Sequence, residues 1–199
     1  MDAPHPPRPG DLVGEFEVVS PLKAGGMGEV YTARDARTGE RVALKLMGGT
    51  SAASADRFAR EVRIAARLTH PNIVATRGCG ETPGGVPWLA MELLEGEDLE
   101  SRLGRGALPV PGAVDVAIQA CAALEHAHAR GVVHRDIKPS NIFLCGGDAG
   151  RVKVLDFGVA SLADERQLTR TGTPIGTPSY MSPEQARGDR DVDARSDLW

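Results

Sequence analysis

The feature that most constrains the fold is a change of sequence pattern near Gly96. After it, residues 111–130 are rich in alanine and carry apolar side chains at helical spacing. Before it, short β-branched runs alternate with glycine-containing or charged turns, which predicts strands at residues 15–20, 30–34, 41–46, 73–76 and 88–93. The two patterns indicate an α+β fold in which a small sheet region precedes a larger, mostly helical region.

The sheet region also contains one predicted helix, at residues 54–68, where Phe58, Val62 and Ala65 recur at i, i+4 and i+7. We therefore expect a five-stranded antiparallel sheet with one helix over residues 14–95 and a helical region over residues 96–199. The proline-rich residues 1–13 are expected to form a disordered tip. In the long helix of the second region, one apolar stripe is predicted to be buried: Val114, Ala117, Ile118, Cys121 and Leu124.

Composition excludes several classes of function. The 23 Lys and Arg residues are outnumbered by 27 Asp and Glu residues, and no basic cluster indicates a nucleic-acid partner. The three cysteines are widely spaced, which argues against a disulfide framework and a zinc site. No run of about 18 apolar residues is present, and the N-terminus has no signal-peptide core. We expect a cytoplasmic segment without membrane contact of its own.

A glycine-rich stretch, KAGGMGEV at residues 23–30, lies between two predicted strands. Glycines allow backbone N–H groups to approach phosphate oxygens closely, although such a hairpin is more often an ordinary turn. Lys45 follows at the end of an apolar strand and Glu61 lies in the predicted helix. These two residues either form an ion pair or are separate surface charges.

The most specific segment is HRDIKPSN at residues 134–141, followed by DFG at 156–158 and SPE at 182–184. In this order, after a glycine-rich loop and VALK at 42–45, these motifs resemble those of the protein-kinase superfamily. The resemblance covers residues 14–199 and is closest to bacterial, PknB-type serine/threonine kinases, through GGMGEV, HPNIV and GTPSYM. It implies a two-lobed fold, with a small lobe at 14–95 and an incomplete large lobe at 96–199.

The resemblance also implies roles for individual residues. Asp136 would orient the substrate hydroxyl and accept its proton, with Lys138 and Thr177 beside it. Asn141 and Asp156 would bind Mg²⁺, and Lys45, fixed by Glu61, would hold the ATP phosphates. The remaining nucleotide contacts implied are Leu22, Gly25, Gly26, Gly28, Val30, Ala43, Met91, Glu92, Leu94, Asp98 and Phe143.

Regulation through the activation loop is a further implication. Arg135 precedes the catalytic aspartate, and a phosphorylated threonine opposite such an arginine can order the loop through charge-assisted hydrogen bonds. Thr169, Thr171 and Thr173 are the candidate phosphosites, with Thr171 or Thr173 preferred. Protein substrates bearing serine or threonine are implied, and self-association for trans-autophosphorylation is a hypothesis.

The chain departs from the family pattern at two places. Lys23 replaces the first glycine of the loop, which predicts a weaker or stiffer nucleotide lid. The chain also stops where the central helix of the large lobe would begin, so exposed apolar surface and low stability are expected. Two alternatives remain: a pseudokinase scaffold, opposed by the presence of Lys45, Asp136 and Asp156, and a small-molecule kinase, opposed by the activation segment ending in SPE.

Overall fold

The computed structural model describes residues 6–25, 28–46, 62, 66–157, 178–189 and 191–199. The chain divides into two compact units. The first comprises the chain up to Ala66 together with Ala75–Leu94, and the second comprises Arg67–Val74 and Glu95–Trp199.

The first unit contains an antiparallel sheet with the strand order β1-β2-β3-β4-β6-β5. Its strands are β1 (Leu12–Val13), β2 (Phe16–Gly25), β3 (Gly28–Asp35), β4 (Arg41–Leu46), β5 (Thr76–Glu81) and β6 (Pro87–Glu92).

Two details of this sheet differ from the sequence-based expectation. The short strand β1 pairs with Phe16 and Glu17 of β2. Residues 12 and 13, which were expected in the disordered tip, therefore add one strand to the five that were predicted. The strand expected at residues 73–76 is displaced, because Ile73 forms only an isolated parallel bridge with Val154 and pairing with β6 begins at Thr76.

One face of this sheet carries the apolar core of the first unit. Phe16 and Trp88 pack edge to face with ring centroids 5.7 Å apart, the geometry that aromatic pairs prefer. The buried cluster consists of Val13, Phe16, Val18, Tyr31, Ala33, Val42, Leu44, Leu46, Trp88 and Ala90. Because side chains alternate along a strand, Val30, Thr32, Ala43 and Lys45 lie on the opposite face.

The helix expected at residues 54–68 lies largely outside the described residues. Of that range the structure describes Val62, which is 1 % exposed, and residues 66–68. The amide of Ala66 donates to the carbonyl of Val62 at 2.7 Å, which is the i to i−4 bond of an α-helix.

The second unit combines helices with a small sheet of order β7-β8-β9. The strands are β7 (Gly96–Asp98), β8 (Ile142–Cys145) and β9 (Val152–Val154). The α-helices are α1 (Leu99–Leu103), α2 (Val110–His128) and α3 (Pro183–Arg187), and 3-10 helices occupy Pro139–Asn141, Pro178–Tyr180 and Ala194–Leu198. No helix within the described part of the chain is long and apolar enough to cross a membrane.

Helix α2 confirms the predicted long helix, but of the stripe predicted to be buried only Leu124 is buried. Val114 is 48 % exposed, Ile118 is 62 % exposed, and Cys121 is exposed. The buried stripe is Val116, Ala120, Ala123, Leu124 and Ala127. Alanine occurs all round this helix, so its sequence permits more than one stripe, and the small side chains allow the close packing of α2 against β9.

Gly96 is required by the backbone at the start of β7. Its φ is +136°, and a Cβ there would lie 2.1 Å from the carbonyl oxygen of Leu144 in the paired strand β8. We expect Gly96→Ala to lower the free energy of unfolding by about 1–3 kcal/mol, because strain and the clash act together. Urea denaturation measures this change.

Gly106 provides the matched control for this substitution. It has a similar φ of +123°, but no atom lies within 4 Å of the position that its Cβ would take. Gly106→Ala therefore introduces the strain without the clash and should cost less. Equal losses in the two variants would contradict the role assigned to the close approach of β7 and β8.

Candidate active site

The HRDIKPSN segment links α2 to β8 and passes through the 3-10 helix Pro139–Asn141. The β8–β9 hairpin fixes its far end, since Ile142 pairs with Val154 and the amide of Leu155 donates to the carbonyl of Asn141 at 2.9 Å. Asn141 therefore stands just before β8, and Asp156 follows just after β9. The two predicted metal ligands lie at the same end of one hairpin.

Asp136 is the centre of a compact polar cluster. Its Oδ2 accepts a hydrogen bond from Nδ2 of Asn141 at 2.9 Å and lies 2.8 Å from Nζ of Lys138. The same Asn141 amide donates to the backbone carbonyl of Asp136 at 2.8 Å. Both side-chain contacts fall on Oδ2, so Oδ1 has no partner among the described residues. The Asp136 side chain is 24 % exposed, which leaves it accessible to a substrate group.

Two non-glycine residues next to this cluster have left-handed backbone conformations. Arg135 has φ 67° and Asp156 has φ 58°. Such conformations cost energy and are maintained only where the surrounding structure determines them. Arg135 belongs to the HRDIKPSN segment and Asp156 to DFG. Their strained conformations favour a functional site in which surrounding contacts hold the backbone of both segments in place.

The contacts that hold Arg135 come from two downstream elements. Asp197, whose side chain is fully buried, accepts from the amide of Arg135 at 2.7 Å through Oδ1 and from the amide of His134 at 2.8 Å through Oδ2. His128 Nε2 lies 2.7 Å from the same Oδ2. From α3, Gln185 donates to the carbonyl of Arg135 at 2.6 Å. Both peptide groups of Arg135 are therefore fixed.

His134 is 0 % exposed, and its ring links the HRDIKPSN segment to residues 155 and 157. Its Nδ1 accepts from the amide of Asp136 at 3.2 Å, so Nε2 carries the proton that is donated to the carbonyl of Leu155 at 2.7 Å. Its ring contacts that of Phe157 edge to face, with centroids 4.7 Å apart. A neutral histidine of this tautomer satisfies both nitrogens.

Burial lowers the pKa of His134, and the nearby Leu155 carbonyl and the carboxylates of Asp197, Asp136 and Asp156 oppose this shift only in part. The unfolded chain therefore binds the proton more readily than the folded chain. Stability is complete above the ordinary histidine pKa of about 6.5 and falls as pH decreases below it. Burial also lowers the pKa of His70, which adds to the same dependence.

We expect the free energy of unfolding to fall between pH 7 and about pH 5, before the carboxylates begin to titrate. Urea denaturation over this range measures the fall, and NMR titration follows the His134 ring directly. A His134 ring that titrates at or above the ordinary histidine pKa would contradict this assignment. His70→Gln is a comparison variant that removes the His70 contribution and keeps that of His134.

In the first unit, the sheet register brings several predicted nucleotide contacts onto one face. Lys45 pairs with Val30 on β3 and Leu89 on β6, and Ala43 pairs with Thr32 and Met91. This is the face opposite the apolar core. Lys45 is only 5 % exposed, which is unusual for a lysine and indicates a specific role for its charge.

The other predicted contacts of the first unit lie along β2 and at or just beyond strand ends. Gly25 pairs with Gly28 at the end of the β2–β3 hairpin, and Leu22 is 52 % exposed. Glu92 at the end of β6 accepts from the amide of Ala75 at 2.7 Å, and Leu94 is half-buried just beyond.

Asp98 and Phe143 are neighbours in the second unit, because they are paired residues of β7 and β8. The Asp98 carboxylate caps α1 by accepting from the amide of Ser101 at 2.8 Å. This contact gives Asp98 a structural role in addition to the predicted ribose contact. The remaining predicted site residues lie outside the described residues: Gly26, Glu61, Thr169, Thr171, Thr173 and Thr177.

The donor set of Asn141 and Asp156 fits magnesium. Both offer hard oxygens, and Mg²⁺ is usually held by one or two protein ligands while phosphates and waters complete its octahedron. Within the described ranges no group of three His, Cys, Asp or Glu residues could hold a metal by itself. A site that is completed by a bound polyphosphate is consistent with this arrangement.

Sequence reasoning missed Asp197, His134 and Gln185 as positioning residues. Gln185 belongs to a capping box with Ser182, and the Ser-x-x-Gln pattern before α3 was a signal that could have indicated its ordered position. Asp197 is 62 residues from Arg135 along the chain, and no local pattern predicts such a contact.

Comparisons with known proteins agree with this geometry. Residues 16–199 match the family model of the protein kinase domain. The chain is 42% identical to the serine/threonine-protein kinase PknB of Mycobacterium leprae over 199 residues, covering 96% of this chain and 32% of the relative. It is 43% identical to the DNA damage-responsive serine/threonine-protein kinase RqkA of Deinococcus radiodurans, covering 98% and 30% respectively. The chain thus spans about a third of the length of these curated relatives.

Solved structures give the same result. The crystal structure of the PknI kinase domain of Mycobacterium tuberculosis is similar with a TM-score of 0.77 and 32% sequence identity. The similarity covers 98% of this chain and 72% of the solved one. It confirms the expected fold class.

Proposed function

The chain belongs to the protein kinase domain family, and on that premise we propose that it transfers the γ-phosphoryl group of Mg-ATP to serine or threonine hydroxyls of proteins. The observation that carries this proposal is the cluster of Asp136, Lys138 and Asn141, next to Arg135, whose backbone is held by Asp197 and Gln185 from two downstream elements. In the reaction the hydroxyl oxygen forms a bond to the γ-phosphorus, the bond to the ADP oxygen breaks, and the hydroxyl proton leaves.

The residues of the catalytic loop have distinct tasks in this proposal. Asp136 Oδ1 accepts the hydrogen bond of the substrate hydroxyl and then its proton, while Oδ2 stays engaged with Asn141 and Lys138. Lys138 places a positive charge beside the reacting centre, where negative charge accumulates on the transferred group. Positioning of this kind supplies most of the catalysis in phosphoryl transfer.

Other predicted site residues would bind magnesium and the nucleotide. Bound Mg²⁺ would neutralise the β- and γ-phosphates, and Asn141 and Asp156 are the residues that would hold it. Lys45 would bind the α- and β-phosphates with Glu61 as its ion-pair partner, and Val30, Ala43 and Met91 would contact the adenine. Gly25, Gly26 and Gly28 would bring backbone N–H groups to the phosphates.

Regulation follows from the activation segment. Phosphorylation at Thr169, Thr171 or Thr173 would add a charge that Arg135 can bind, and Thr177 would contact Asp136 and Lys138. Trans-autophosphorylation between two copies would make the rate depend on protein concentration. The proposed location is the cytoplasm, where protein substrates and ATP are available.

The test is incorporation of labelled γ-phosphate from Mg-ATP by the full-length protein, into itself and into a generic basic protein. We expect label on serine and threonine, and its loss when the magnesium is chelated. Label on tyrosine alone would exclude the proposed specificity. Binding of ATP without any incorporation would favour a pseudokinase scaffold.

A further inference from the structure

The side-chain amide of Gln119 on α2 bonds to segments that are distant from it in sequence. Its Oε1 accepts from Nδ2 of Asn72 at 3.0 Å and from the backbone amide of Val152 at 2.9 Å. Its Nε2 donates to the carbonyl of Ala149 at 3.0 Å and to that of Asp115, one turn earlier in α2, at 3.1 Å. An amide side chain has two donors and two acceptor sites, so the capacity of Gln119 is fully used.

Two of these bonds belong to the side of β9 that faces away from β8, which we call the outer edge of β9. Backbone groups of alternate residues in an antiparallel strand point to opposite sides, and those of Val152 and Val154 form this edge. Val152 donates to Gln119, and its carbonyl accepts from Nδ2 of Asn72 at 2.8 Å. Val154 donates to the carbonyl of Asn72 at 2.8 Å and accepts from the amide of Val74 at 3.0 Å. All four backbone groups of the edge are therefore bonded.

The outer edge of β9 is buried, which makes these bonds important. Val152 is 1 % exposed and Val154 is 0 % exposed. Buried backbone groups that lose their partner cost free energy, so an edge of this kind has to be paired. Half of the pairing comes from two side chains, those of Gln119 and Asn72, in the place where a sheet would otherwise need another strand.

The end of β9 leads directly to the proposed magnesium ligands. Asp156 follows two residues after Val154 and has φ 58°, a conformation that a non-glycine residue keeps only where its surroundings hold it. Between them, the amide of Leu155 donates to the carbonyl of Asn141 at 2.9 Å, so both proposed ligands are attached to the same strand end. Because Mg²⁺ requires nearly ideal octahedral geometry, a small displacement of β9 would weaken its binding.

We propose that Gln119, together with Asn72, is a positioning residue for the magnesium site and acts by holding the outer edge of β9. This inference rests on the proposed function, because it names the support of the metal ligands assigned there. The role is indirect, since neither side chain is assigned as a ligand of the metal. Residues that support metal ligands in this way typically change metal affinity by about ten- to hundredfold when they are replaced.

The first test measures how much magnesium strengthens ATP binding to the full-length protein. Calorimetry gives the Kd for ATP with Mg²⁺ and with a chelator, and their ratio reports the metal site without turnover. Gln119→Leu removes all four bonds of the amide, and we expect this ratio to fall about tenfold. The Kd measured in chelator should stay unchanged. Asn72→Ala removes two bonds from the same edge and should lower the ratio as well.

Two further variants separate positioning from stability. Val116→Ala truncates a buried side chain of α2 and lowers stability through a cavity, but it leaves the bonds of Gln119 in place, so it should keep the wild-type ratio. Gln119→Glu keeps an acceptor for Asn72 and Val152 and loses the donor to Ala149, so it should retain most of the ratio. A ratio in Gln119→Glu as low as in Gln119→Leu would overturn the assignment to the outer edge of β9.

Hydrogen exchange of the nucleotide-free protein provides a second readout that does not depend on activity. A purely local role predicts faster exchange at the amide of Val152, which bonds to Gln119. Positioning predicts faster exchange also at the amide of Leu155, which bonds to Asn141, and more than in Val116→Ala. An unchanged magnesium ratio and an unchanged Leu155 amide in Gln119→Leu would overturn the inference alone. A wild-type protein that binds ATP no more tightly with Mg²⁺ would contradict the proposed function as well.

Discussion

Replacing Asp136 by asparagine should reduce phosphoryl transfer by about a thousandfold while leaving the fold intact. The amide oxygen of asparagine can occupy the position of Oδ2 and accept the hydrogen bonds from Asn141 and Lys138. The amide nitrogen then takes the position of Oδ1, where it can neither orient nor deprotonate a hydroxyl. The loss therefore falls on the chemical step, and ATP binding should be unaffected.

The measurements are the initial rate of label incorporation, the Kd for ATP and the thermal unfolding midpoint of the full-length protein. Asp148→Asn is the control, since Asp148 is exposed in the β8–β9 turn and bonds only the amide of Gly150 among side-chain contacts. It should retain the wild-type rate. An Asp136→Asn protein with a rate within about tenfold of wild type would remove Asp136 from the proposed chemistry.

Asp136, Lys138 and Asn141 could be placed in one candidate site from sequence because they belong to one short motif that resembles that of the protein kinases. The proposed base, the cation beside it and one proposed metal ligand all lie in residues 134–141, and the structure brings Asp136, Lys138 and Asn141 within hydrogen-bonding distance. Because these three residues lie close together in one loop, their contacts are local and can be expected from the sequence.

Which face of α2 is buried was harder to predict from the sequence, for a physical reason. Hydrophobic periodicity locates the buried face of a helix only where apolar and polar residues alternate clearly. In α2 alanine and valine occur on several faces, and the packing partner determines which stripe is buried. Val116 and Ala120 are buried, whereas Val114 and Ile118 are exposed.

The contacts that position the site were the least predictable, because they join distant segments. Gln185 contacts Arg135 across 50 residues, and Asp197 contacts His134 across 63 residues. A buried carboxylate in this role carries no local signature, and near the chain end it could be read as an ordinary polar residue of a helix. The strained conformation of Arg135 is intelligible only once these long-range partners are known.

Asp197 should therefore be among the most sensitive positions in the chain. Asp197→Ala leaves the amides of His134 and Arg135 buried without their acceptor, at a cost of about 1–3 kcal/mol for each unsatisfied group. The left-handed conformation of Arg135 loses a contact that maintains it, so the loop can relax and displace Asp136. We expect a loss of about 3–5 kcal/mol in unfolding free energy and a strong fall in kcat.

Urea denaturation and the initial rate measured well below the unfolding transition separate the two effects. Asp193→Ala is the matched control, because Asp193 caps the same 3-10 helix but is exposed and bonds only within its own turn, to Arg195. Its removal should change stability little and leave kcat unaltered. The variant Asp197→Asn offers one acceptor oxygen where two are needed, so it should recover part of the stability but place an amide N–H against a backbone donor. If Asp197→Ala matched Asp193→Ala in both stability and kcat, the long-range contact would have no part in holding the catalytic loop, and the strain at Arg135 would need another support.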